Sequence, residues 1–144
     1  MNFFDAFHIS SSGLTAQRLR MNLISSNLAN VNTTRTVEGG PYRRKEAVFA
    51  TGKAGSFQSM LRSKLTGKSS RVNVVGVVND SRPPVFKYDP YHPDADEKGY
   101  VAMPNINIME EMINMMSATR SYEANVNAIK ATKKMALKAL EIGR

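Results

Sequence analysis

The chain has 144 residues, enough for one modest domain or for a small domain with extended arms. It contains no cysteine, which excludes disulfides and cysteine-based metal sites, so any stability beyond the core must come from packing or assembly. The formal charge of +8 and the isoelectric point near 9.9 fit an acidic partner, nucleic acid or an anionic membrane surface, and equally fit charge matching between neighbouring subunits.

The first segment, about residues 1–34, reads as a helix from Asn2 to Val31. Phe7, Leu14, Met21 and Leu28 recur every seven residues, Ile9, Ala16 and Leu23 form a second row, and Leu19 and Ile24 widen the stripe. Ser10-Ser11-Ser12-Gly13 is its weak spot and a place for a kink. Asn27, Asn30 and Asn32 close it, because asparagine tolerates the left-handed conformation of helix ends and its amide can bond main-chain groups where the chain departs. The opening Met1-Asn2-Phe3-Phe4-Asp5 lacks the basic and apolar regions of a secretory signal, which predicts a cytoplasmic chain or one exported without cleavage.

The middle segment, residues 35–104, alternates turns and strands. Gly39-Gly40-Pro41 is a turn signal, and Ala47-Val48-Phe49 has strand character. Thr51 to Ser70, rich in Gly, Ser and Lys, reads as a mobile loop. Val72, Val74, Val75, Val77 and Val78 make the clearest strand. Val85–Tyr88 follows Pro83-Pro84, so a hairpin through Asn79–Arg82 is expected. Pro90 and Pro93 hold an extended loop to Gly99.

The last segment, residues 105–144, is the strongest helix. From Ile108, alternating steps of four and three give Met112, Met115, Thr119, Tyr122, Val126, Ile129, Lys133, Ala136 and Leu140, a seam long enough for a coiled coil. Asn105 or Asn107 can cap its start, and Glu110 and Glu111 suit the positive end of the helix dipole. Met109, Met112, Met115 and Met116 give it a pliable face for non-identical neighbours. The expected fold is α+β: long N- and C-terminal helices paired as an antiparallel coiled coil, with a small β-hairpin-rich middle. The middle is too small to bury both helices, so they must pair, pack on other molecules or await a partner.

Catalytic patterns are missing. His8 and His92 lie in different segments, no serine sits in a Gly-x-Ser-x-Gly context, and no glycine-rich phosphate loop precedes a helix. Asp94, Asp96 and Gly99 resemble the start of a calcium loop, but Lys98 and Asn105 occupy ligand positions, so no metal or other cofactor is expected. Arg43-Arg44-Lys45, Lys64, Lys68 and Arg71 could form a basic patch, without any nucleic-acid-binding signature around them.

Three strings decide between readings. Ser12-Gly13-Leu14-Thr15-Ala16-Gln17-Arg18-Leu19-Arg20-Met21 with Ser26-Asn27-Leu28-Ala29-Asn30-Val31-Asn32-Thr33 resembles the N-terminal signature of flagellar rod and hook proteins. Tyr122-Glu123-Ala124-Asn125 resembles the family's C-terminal region. Asp89-Pro90, His92-Pro93-Asp94-Ala95-Asp96 and Gly99-Tyr100-Val101-Ala102-Met103-Pro104-Asn105 resemble its proximal-rod branch. The resemblance implies a non-enzymatic subunit of the basal body that assembles into a helical tube, transmits torque from motor to hook across the periplasm, and leaves the cell through the flagellar type III export apparatus. It implies as partners further copies of the chain, the rod proteins FlgB, FlgF and FlgG, and the adaptor FliE. The expected assembly residues are Leu14, Met21 and Leu28 against Met115, Tyr122, Val126 and Ile129, with Met112, Leu140, Asn27, Asn30 and Asn32. Two other readings are a stand-alone helical adaptor and a basic nucleic-acid or membrane-surface binder.

Overall fold

The computed structural model describes residues 3–51 and 71–142. The element order is α1 (Phe3–Ala29), β1 (Lys45–Thr51), β2 (Val72–Asn79), β3 (Val85–Tyr88), β4 (Tyr100–Met103) and α2 (Ile108–Ile142). The fold is α+β, with the two long helices packed together and two small sheets between them in sequence. Except for Thr51, the loop expected over 51–70 lies outside the described residues.

The chain forms two compact units, each assembled from separated stretches. The first takes Met1–Leu19, Val48–Gly76 and Ala118–Arg144; the second takes Arg20–Ala47 and Val77–Ser117. Each helix contributes to both.

In the first unit the helices meet at Gly13 and Asn125. A Cβ on Gly13 would stand 3.0 Å from the Asn125 Nδ2, so the glycine marks a close approach. α1 runs unbroken through Ser10–Gly13, the weak spot where the sequence left room for a kink. The Ser12 hydroxyl donates to the Ile9 carbonyl at 2.7 Å, within the helix, and accepts from the Val72 N–H at 3.2 Å. Ala16 and Ala118 are buried here, small residues on the two facing stripes.

In the second unit, as α1 advances from Arg20 to Asn27, its partners on α2 retreat from Asn114 to Glu111, so the helices run antiparallel. Asn107 caps α2, its Oδ1 accepting from Met109 N at 3.0 Å and its carbonyl from Glu111 N at 3.0 Å. The covered stripe of α2 takes in Glu111, Met115, Ala118, Tyr122, Asn125, Ile129, Thr132 and Ala136, again in steps of four and three. It shares Met115, Tyr122, Ile129 and Ala136 with the expected seam. Elsewhere it turns to Glu111, Ala118, Asn125 and Thr132, leaving Ile108, Met112, Thr119, Lys133 and Leu140 exposed. The reason is steric and polar: small or bonded residues let the helices approach, where the more apolar alternative would hold them apart.

Two expectations about the chain's turns are corrected. The hairpin between β2 and β3 does not form; β2 pairs with β1, and β3 pairs antiparallel with β4, Val85 opposite Met103 and Tyr88 opposite Tyr100. The Asp80 N–H goes to the Arg44 carbonyl at 2.8 Å, tying the end of β2 to the start of β1, and Pro83 and Pro84 have no N–H to offer a ladder. The end of α1 uses no left-handed asparagine: among the described residues only Gly39, Gly40 and Gly99 have positive φ. Instead the Asn30 main-chain and side-chain N–H groups both donate to the Ser26 carbonyl, at 3.1 and 2.8 Å.

Candidate assembly surfaces

A polar lock in the second unit holds the end of α1, the start of β1 and the first turn of α2 together. Asn27 is fully buried and uses its whole amide. Its Nδ2 donates to the Lys45 carbonyl at 2.9 Å and to Glu111 Oε2 at 3.1 Å. Its Oδ1 accepts from the Lys45 N–H at 2.9 Å and from the Tyr42 hydroxyl at 3.1 Å. The side chain thus binds β1 much as a neighbouring strand would.

Glu111 is 1% exposed, and a carboxylate so placed needs a cation. Arg44 supplies it, with Nε 2.7 Å from Glu111 Oε1 and Nη1 3.1 Å from Glu46 Oε2. Burial alone would lower the Arg44 pKa, but the bonds and charges of Glu111 and Glu46 outweigh it and hold the guanidinium above its ordinary value. The sequence reading assigned Glu111 only to the helix dipole and Arg44 to a basic patch. The apolar seam through Ile108, Met112 and Met115 passes Glu111 by, so the sequence carried no signal for this pair.

The residues expected at the assembly interface fall into two groups. Leu14, Met21, Leu28, Met115, Tyr122, Val126 and Ile129 are half-buried, and Asn27 is buried. Asn30 is half-buried and accepts from the Thr33 hydroxyl at 3.2 Å, while Asn32 is exposed. Met112 and Leu140 are exposed, Leu140 by 72%.

Met112 belongs to a larger feature. Met109, Met112, Ile113 and Met116 follow one another at i, i+3, i+4 and i+7, on the side of α2 away from Glu111 and Ala118. Each is about half exposed or more, and Ile108 flanks them. An apolar helical stripe turned to solvent is the usual mark of an interaction surface.

Chemistry has little to work with here. Among the described residues no group of three His, Asp or Glu side chains could hold a metal ion. In the loop with calcium-like spacing, Asp96 Oδ1 accepts from the N–H groups of Lys98 and Tyr100, and Asp94 accepts from the Thr34 hydroxyl. Among the described residues no helix is long and apolar enough to cross a membrane.

Residues 7–35 match the family described as flagella basal body rod protein, and residues 97–142 match the C-terminal family of the flagellar basal body rod FlgEFG proteins. Over its whole length the chain is 46% identical to the flagellar basal-body rod protein FlgC of Bacillus subtilis, with all of both chains covered. It is 44% identical to FlgC of Borreliella burgdorferi, covering 99% of this chain and 98% of that one. It is 40% identical to FlgC of Escherichia coli O157:H7, again over all of both. The chain belongs to the FlgC family of flagellar basal-body rod proteins. The two matched regions contain most of the helical pair, including Asn27 and Glu111, while Tyr42, Arg44 and Lys45 of the lock lie between them.

Proposed function

We propose that the chain is a structural subunit of the proximal rod, stacking helically with copies of itself and with FlgB, FlgF and FlgG, with FliE adjacent, so that the tube carries torque from motor to hook. It reaches that place through the flagellar type III export apparatus and performs no catalysis. The observation that carries this reading is the apolar stripe Met109, Met112, Ile113 and Met116 on the free side of α2, in a chain related over its full length to rod proteins. A helix already paired along one face has that second face left for a neighbour. A contact between two different surfaces, repeated, gives an open helical series wherever its rotation does not close into a ring.

The proposed residue roles follow. Leu14, Met21 and Leu28 pack with Met115, Tyr122, Val126 and Ile129, while Met112 and Leu140 face neighbours. Asn27 and Asn30 fix the departure of the chain from α1. The test is sedimentation and circular dichroism of the purified chain with and without FlgB, FlgF and FlgG. Particle size is expected to rise on mixing. A chain that stays monomeric alone and with every rod protein would remove the reading.

A further inference from the structure

Two exposed surfaces of this chain have complementary chemistry. In the second unit, Asp89–Gly99 between β3 and β4 is a tied-down knob. His92 N bonds Asp89 O at 3.2 Å, Ala95 N bonds His92 O at 3.0 Å, and Gly99 N bonds Asp96 O at 2.9 Å. On it stands Tyr91, 97% exposed, among Asp89, Asp94, Asp96 and Glu97. Asp94 is engaged by Thr34 and Arg35, and the two hydrogen bonds to the Asp96 carboxylate both reach Oδ1. Glu97 has no ion-pair partner among the described residues.

In the first unit, α2 carries Lys130, Lys133, Lys134 and Leu137 at i, i+3, i+4 and i+7, all exposed. Among the described residues these three lysines form no ion pair, whereas Lys138 is held by Glu141 at 2.7 Å. Leu137 is thus an apolar spot set among free ammonium groups.

We propose that the knob of one copy docks on the Lys130–Leu137 face of a second copy. The Tyr91 ring lies over Leu137 and the lysine stems, and the Asp96 and Glu97 carboxylates meet the ammonium groups. Exposed charge pairs contribute little individually, so the buried aromatic ring supplies most of the affinity and the charges set the register. The occupant is a second copy because both complementary surfaces belong to this one sequence. They lie in different units, so the contact is heterologous and repeats from copy to copy. This inference rests on the rod-subunit reading above.

The chain has no native cysteine, which makes single introduced thiols unique. Chains carrying Pro93→Cys are mixed with chains carrying Ala131→Cys and treated with a short bis-maleimide, alone and together with FlgB, FlgF and FlgG. A covalent pair between the two kinds of chain is expected. Its yield should fall about tenfold when the knob copy also carries Tyr91→Ala. It should fall with Lys134→Glu in the other copy and recover when that change is matched by Glu97→Lys. Circular dichroism confirms that each variant keeps the parent's fold. Larger particles without this cross-link, or a cross-link indifferent to Tyr91→Ala and Lys134→Glu, overturns the inference and leaves the rod reading standing. A Lys134→Glu change that abolishes binding to phosphatidylglycerol vesicles but spares the cross-link also overturns it, assigning the face to a membrane. A chain monomeric in every mixture overturns both readings.

Discussion

At the scale of single residues, the fold depends on polar groups placed where apolar ones would be expected. Glu111 and Arg44 illustrate the asymmetry of buried ion pairs. Together they are satisfied; Glu111 alone is a desolvated charge, while Arg44 alone keeps Glu46. Arg44→Met should therefore cost about 3–5 kcal/mol in urea unfolding, because it strands the Glu111 carboxylate, whereas Arg44→Met with Glu111→Leu should lose only the acceptor of one Asn27 N–H, about 1–3 kcal/mol. Gly13 makes a different case. Alanine in a helix normally gains about 1 kcal/mol over glycine. Here the added methyl meets the Asn125 amide at 3.0–3.2 Å, and that amide is held by its own bond to the Ser121 carbonyl. Gly13→Ala should be neutral or destabilising in the parent and stabilising by about 1 kcal/mol with Asn125→Ala, a coupling that thermal unfolding of the four chains would read. Asp80 supplies a pH dependence. Bonds from the Arg82 side chain and main chain hold its carboxyl below the ordinary value of 3.8, so the folded state binds its proton more weakly than the unfolded chain. The stability this adds is fully present above about pH 4 and is lost as the pH falls through the lower folded value. The difference between the parent and Asp80→Asn in acid titrations should shrink over that window.

At the scale of elements, the two helices were legible because seven-residue repeats survive in Phe7, Leu14, Met21 and Leu28 and in the run from Ile108 to Leu140. Their rotation was not. Hydrophobicity favours Ile108 and Met112 as contact positions, but closeness at Gly13 and the Arg44–Glu111 pair place Glu111, Ala118 and Asn125 on the covered line. A reading that scores apolar residues cannot foresee a carboxylate whose partner lies in another element. Strand pairing failed for a related reason: Val72–Val78 announces a strand, but its choice of partner depends on the Asp80–Arg44 main-chain bond, which composition does not encode. β4 went unread because only Tyr100 and Val101 of its four residues favour a strand, against Val85, Phe86 and Tyr88 in β3. The misassigned positions are informative, because an apolar residue that the fold leaves exposed is available to a neighbour. Met112→Glu with Met116→Glu should leave helicity within error of the parent, since both side chains already face water, and should block assembly with the rod proteins. Circular dichroism and sedimentation on the same samples would separate those effects, and loss of helicity would show instead that the stripe serves the monomer.

At the scale of the whole molecule, stability and assembly are linked by mass action. A subunit that leaves Met109, Met112, Ile113 and Met116 on its surface carries part of its favourable burial in contacts it has yet to make. If assembly binds the folded chain and ignores the unfolded one, each tenfold rise in free subunit above the dissociation constant adds about 1.4 kcal/mol to the apparent stability. The unfolding midpoint should then climb with protein concentration and reach a floor at high dilution, where the lock of Asn27, Arg44 and Glu111 and the covered stripes act alone. The Met112→Glu and Met116→Glu chain should climb less steeply, because its intramolecular contacts are intact and, of the two proposed assembly surfaces, it keeps the Tyr91 knob and the lysine face but loses the methionine stripe. Differential scanning calorimetry over a hundredfold range of concentration reads both curves. Parallel slopes would place the self-association on some other surface, while a parent curve without slope would mean that copies of this chain do not stabilise one another.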